Sequence, residues 1–168
     1  MNKNKIRPFV MNELSVNFKD RVNKLQQTMA NVSKDSKYVE VGTKDKPIVS
    51  TESKITPIRN FFMDNVYIRQ IFLFKGTLSI GAIYKHKHMI FLLHGHVTIA
   101  NEQGVKDFYA PCHIVSTPGD KRVVYAHETT VWYNVFPNTE NKKNVRELEK
   151  DLACITFEEY EKYVKNKK

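Results

Sequence analysis

No stretch of this 168-residue chain is apolar for long enough to span a bilayer as a helix, which takes about 20 residues. Residues 1–14 hold no continuous apolar core of the kind a secretory signal needs, so export by such a signal is not expected. Cysteine is scarce: Cys112 and Cys154 are the only two. They make neither a disulfide framework nor a Cys-x-x-Cys site, and read as free thiols in a reducing compartment. There is no glycine-rich phosphate loop, no Ser-His-Asp signature and no pair of carboxylates at an obvious catalytic spacing. No segment repeats. Membrane spanning by helices, disulfide scaffolds and phosphate-loop chemistry are thereby set aside.

Charge is present but uneven. The formal net charge is +9. Residues 1–60 hold 12 Lys/Arg against 6 Asp/Glu, residues 61–137 hold 7 against 5, and residues 138–168 hold 8 against 7. Most of the excess therefore lies in a basic N-terminal arm. Such an arm meets a protein partner or nucleic acid, or simply keeps the chain in solution. No arginine cluster or aromatic interleaving accompanies the lysines.

Residues 11–32 carry the clearest helical period. Leu14, Phe18, Val22, Leu25, Met29 and Val32 are spaced 4, 4, 3, 4 and 3, which puts them on one narrow stripe. The stripe packs on the chain's own core or on a partner subunit. Residues 33–60 read as a long, weakly apolar linker with short extended pieces at 38–41 and 48–50. Strands are predicted at 66–74, 78–84, 88–93, 97–100, 108–109, 114–116, 122–126 and 131–136. They are rich in β-branched and aromatic residues and are separated by Gly and Pro turns. Val145, Leu148, Leu152 and Ile155 form a further helical stripe. Thr156 with Glu159 has the spacing of a capping box, opening a last helix whose apolar face holds Phe157, Tyr160, Tyr163 and Val164. Residues 165–168 are expected to fray. The division is a basic arm with helix and linker (1–57), a β-barrel (58–137) and a helical extension (138–168).

Three histidines, His86, His88 and His94, fall within nine residues. On a strand, His86 and His88 project to one face with Ile90 and Leu92. If His127 turns inward it joins them, giving three imidazoles for one divalent transition metal. Arg122 falls in the barrel mouth by the same alternation and repels a cation there. With Lys121 and Lys85 it suits an anion or a polar ligand instead. Glu128 stands beside His127 as a partner for its ring or as a turn residue. His96, next to a turn glycine, reads as solvent-facing.

The order of strands and turns resembles the cupin family, in particular the small cupin-like proteins of phages and prophages. The resemblance covers about Gly76 to Ala153. It is carried by the block from Pro118-Gly119 through Lys121-Arg122 and Ala126-His127-Glu128 to Trp132, and by the apolar run ending at Gly95. It implies a mainly β, double-sheet jelly-roll barrel, here with an N-terminal amphipathic helix and two short C-terminal helices. In many members the first block holds metal-ligating histidines and a glutamate. In this sequence Ala82 and Tyr84 stand at the two histidine positions of that block, His88 at its glutamate and Arg122 at the last ligand histidine. The expected ligand set is His86, His88 and His127 for a metal, with Tyr84, Lys85, Arg122 and Glu128 for a small ligand.

Three functions follow as expectations. The first is a phage-type accessory protein that binds a small ligand or a divalent metal without turnover, in a host cytoplasm or a virion. The second is a structural or assembly protein, with the barrel as scaffold and the N-terminal arm docked on a partner. The third is a metal-dependent isomerase or dioxygenase. A homodimer or a larger assembly, formed through edge strands or swapped arms, is expected in each case, and no membrane.

Overall fold

The computed structural model describes residues 11, 14, 17–35, 37, 39–41, 53 and 55–167. Strands β1 (Ile58–Met63), β2 (Asn65–Leu73), β10 (Thr130–Asn138), β5 (His88–His94) and β8 (Cys112–Ser116) form one sheet in the order β1-β2-β10-β5-β8. Strands β3 (Leu78–Ile80), β9 (Val123–Ala126), β6 (His96–Asn101) and β7 (Gly104–Tyr109) form a second, in the order β3-β9-β6-β7. All pairings are antiparallel. The chain crosses between sheets from β2 to β3, β5 to β6, β7 to β8, β8 to β9 and β9 to β10. That path is the jelly roll expected from the sequence.

Alternation sets the interior. Tyr67, Arg69, Ile71 and Leu73 point inward from β2, and Trp132, Asn134 and Phe136 from β10. Leu73, Ile90, Leu92, Val97, Ile99, Val124, Ala126 and Trp132 fill one half of the barrel. The other half is closed by helix α2 (Val145–Leu152), whose Leu148 and Leu152 pack on Tyr67 and Phe136.

Helix α1 (Phe18–Val32) lies on the outer face of the second sheet. Its Phe18 and Val22 are buried there with Met11, Leu14, Ala100, Val123 and Tyr125. The stripe thus packs on the chain's own barrel, and only its end departs, with Val32 46% exposed. Helix α3 (Phe157–Asn166) joins the same cluster through Phe157, Tyr160 and Tyr163. Its expected cap is present: the Thr156 hydroxyl accepts from Glu159 N–H at 3.2 Å, and the Glu159 carboxylate accepts from Ile155 N–H at 2.9 Å. No helix among the described residues is long and apolar enough to cross a membrane.

Four details depart from the sequence reading. The strand predicted over 78–84 divides, because Gly81-Ala82 leaves the second sheet and β4 (Ile83–Tyr84) pairs with β11 (Ala153–Cys154) instead. Strand β1 precedes the first strand placed from sequence, and it turns into β2 through Asp64-Asn65, with Asn65 at φ 61°. Residues 39–41 carry no strand, while residue 38 and the piece at 48–50 lie outside the described residues. Residues 165 and 166 continue α3 instead of fraying, and residue 168 lies outside the described residues.

Candidate functional site

At the edge where β1 and β2 part from β3, the barrel opens into a cavity of about 230 Å³. Its walls are mostly apolar: Ile58, Ile71, Leu78 and Ile80 from the strands, Met29 from α1, and Val39 and Val41, with the polar Gln26 and Glu40 among them. Its polar end is built by Arg69, Tyr84 and Glu149. Arg69 is 4% exposed and pairs with the Glu149 carboxylate of α2. Its Nε donates to the Tyr67 hydroxyl at 3.0 Å, which donates in turn to Asn60 Oδ1 at 2.7 Å. Burial is the largest single influence on Arg69 and works against its charge, but Glu149, Tyr84 and Tyr67 together outweigh it and hold the guanidinium protonated. Burial pushes the Tyr67 phenol up to about 12 and raises that of Tyr84, so both are neutral hydroxyls at pH 7. The cavity therefore ends in a charge-balanced, hydrogen-bonding wall.

Behind Tyr84 sits His88. Its ring lies edge-on to Tyr84 at 4.5 Å and against Phe136 at 4.4 Å. Burial, chiefly, lowers its pKa to about 4, and the charges of Arg122 and Arg69 act in the same direction. The imidazole is thus neutral and enclosed. Arg122 is also inward-facing, but its charge is engaged: it pairs with Asp120 and donates to Ser116 Oγ at 3.0 Å.

The expected ligand sets do not assemble. His86 lies in a bend ahead of β5, so strand alternation does not apply to it; it offers its carbonyl oxygen to His88 Nδ1 at 3.3 Å. His127 follows β9 on the outward parity and stacks on His96 outside the second sheet, at 4.2 Å. Of the residues expected to hold a small ligand, Tyr84 alone lines the cavity. Lys85 donates to the Lys150 carbonyl, and Glu128 is exposed in the turn before β10. Lys121 faces outward and is buried under α3, where it donates to the Ile155 carbonyl at 2.8 Å. Burial pushes its pKa down to about 8.

Among the described residues, one group has the spacing of metal ligands: His96, Asp107 and His127, with donor atoms within 4.8 Å of one another. His96 was expected to face solvent, yet its Nε2 is buried, 3.5 Å from Asp107 Oδ1. The Thr98 hydroxyl bridges the group, bonded to Asp107 and 2.6 Å from His127 Nε2. The two imidazoles are stacked at 13°, so their lone pairs run side by side and must turn to converge on one ion.

Sequence reasoning missed Arg69, Glu149, His96 and Asp107. An arginine on the inward parity of a barrel strand was a visible signal for Arg69. The pairing with Glu149, 80 positions away, left no local trace.

No protein-family model and no curated protein matches the sequence. Several solved structures share the chain path in part. An ectoine synthase from P. lautus is 17% identical, with 70% of this chain and 88% of that one covered at a TM-score of 0.49. A Cupin 2 conserved barrel domain protein from Salinispora arenicola is 15% identical, with 51% and 77% covered at 0.43. An HTH_3 family transcriptional regulator from Vibrio cholerae is 16% identical at 0.43, with 50% of this chain covered and 52% of the regulator's. At such values the similarity says nothing of ligand or reaction.

Proposed function

We propose that this jelly roll binds a small, mainly apolar molecule carrying one neutral hydrogen-bonding end, such as a hydroxyl, without turning it over. The supporting observation is the cavity of about 230 Å³ whose apolar walls end at Arg69, Tyr84 and Glu149. Few, convergent polar groups at the end of an apolar cleft are the usual composition of a ligand site. The volume lies just below the usual range of about 300–1,000 Å³, which favours a small ligand. A metal-dependent isomerase or dioxygenase has less support, because His88 has neither expected histidine partner beside it. An accessory role in a phage or its host is the setting that the block from Pro118 to Trp132 implies.

Calorimetry with hexanoate, hexanol and hexylamine tests the proposal. Hexanol is expected to bind more tightly than hexanoate or hexylamine, each of which would bring an uncompensated charge against the Arg69–Glu149 pair. Ile71→Trp fills the cavity and should abolish the heat while the fold is kept. Absence of saturable binding by all three, or undiminished binding by Ile71→Trp, overturns the reading.

A second reading concerns a divalent transition ion outside the barrel. Its support is His96 Nε2, buried with no hydrogen-bond partner among the described residues and within reach of Asp107 and His127. An imidazole-rich set suits such ions. Titration with Zn²⁺ is expected to show one site per chain that is lost in His127→Ala. Equal heat from that variant removes the reading.

A further inference from the structure

The outer faces of the two sheets are treated differently. That of the second sheet is covered by α1 and α3. Over the outer face of the five-stranded sheet, no helix or strand of the described residues packs. The side chains there run in register across all five strands. Phe61, Ile68, Val135, Met89 and Val115 make one row from β1 to β8. Arg59, Gln70, Tyr133, Phe91 and His113 make the next row, polar at both ends, and Met63, Val66 and Pro137 continue the patch on the other side. Met63 is 60% exposed, Leu93 53%, Val115 45%, Phe61 43% and Phe91 38%.

We infer that this face is the contact between two copies of the chain, packed sheet on sheet. Three observations favour a second copy. First, Arg59 is the one permanent charge among the outward positions of the five strands, in a chain with 27 Lys/Arg and 18 Asp/Glu. Two chains of net charge +9 repel each other, and a face with a single permanent charge among its outward positions is where they approach at least cost. A nucleic acid or an acidic protein finds no basic groups there to pair with beyond that arginine.

Second, the area suits a dimer. Five strands at about 4.8 Å spacing and six residues at about 3.3 Å give a plane of about 500 Å² before side-chain relief. Soluble monomers rarely leave more than a few hundred Å² of contiguous apolar surface bare. A standard interface takes about 800 Å² of accessible surface from each partner, which such a plane supplies once its side chains stand clear of it.

Third, the shape complements itself. A twisted sheet packs best on another of the same hand, about 10 Å away with strands within about 30°. An identical sheet has that twist. The contact is then isologous, with β10 at its centre and Tyr133 and Val135 meeting their own counterparts. It lies on a sheet face, whereas the sequence reading expected edge strands or swapped arms.

Light scattering after size exclusion is the test. The wild-type chain is expected at twice its 19.7 kDa mass. Phe91→Glu with Val115→Glu puts charge on two exposed positions, so folding is spared. It should raise the dissociation constant by about 100-fold or more and give a 19.7 kDa species with an unchanged far-UV spectrum. Val164→Glu, on α3 and away from the face, should remain dimeric. A monomeric wild type, a double variant that stays dimeric, or a Val164→Glu chain that dissociates equally would each overturn the inference.

Discussion

Gly95→Ala is expected to cost the fold about 3–5 kcal/mol, from strain together with a steric conflict that neighbouring groups cannot relieve. Gly95 has φ +94° in the turn from β5 to β6, where an L side chain is strained. An added Cβ would sit 2.6 Å from Thr130 Oγ1 and 2.7 Å from the Thr129 carbonyl oxygen. Thr130 is fully buried, and its backbone is held in the ladder with Leu73. Neither atom is the far end of a flexible side chain. Gly104→Ala separates the two contributions. Gly104 has φ +125° but nothing within 4 Å of the added Cβ, so only backbone strain of about 1–2 kcal/mol is expected there. Urea unfolding of both variants measures the difference. Equal losses would show that the close approach at Gly95 is relieved by movement of β10.

Glu149→Ala is expected to cost about 3–5 kcal/mol, the range for stripping one partner from a buried ion pair. The side chains of Arg69 and Glu149 are 5% and 11% exposed, so neither charge is well hydrated once alone. Glu149 is also the link between α2 and the barrel interior, and its loss should loosen the helix that closes that end. The double variant Arg69→Met/Glu149→Met removes both charges and keeps the volume. It should recover most of the loss, as apolar replacement of buried pairs often does. Chemical denaturation of the two singles and the double gives the coupling. A loss below about 1 kcal/mol for Glu149→Ala would place the pair in water and remove the polar end wall from the cavity argument.

The sequence was informative where the signal was local. Alternation in residues 66–74 and 131–136, turns at Gly95 and Pro118-Gly119, and the Thr156–Glu159 cap all stand close to their predicted places. The barrel and its three helices were legible for that reason. The site was not, because it depends on which face a residue takes and what lies opposite. His86 was placed on a strand, and a bend ahead of β5 removes it from the alternation. His127 faces outward because Arg122, Val124 and Ala126 take the inward positions of that stretch. The pairing of Arg69 with Glu149 joins β2 to a helix beyond the barrel, and no periodicity reports a contact of that length. Tyr84, whose position the resemblance to cupins marked, lies on the cavity wall.

The position of β10 bears on how the protein is made. In sequence it is the last strand of the first sheet, yet in space it is the middle one, between β2 and β5. As the chain leaves the ribosome, the β1–β2 hairpin and the β5–β8 pair are therefore complete but separate, each with an unpaired edge waiting for residues 130–138. Closure joins residues 57 to 73 positions apart in the β2–β10 register, which makes folding slow relative to local contacts. Until then the same apolar rows lie on two unjoined ribbons, the form in which strand edges aggregate. Nascent chains held before residue 130 should accordingly need a chaperone that chains released after residue 138 do not.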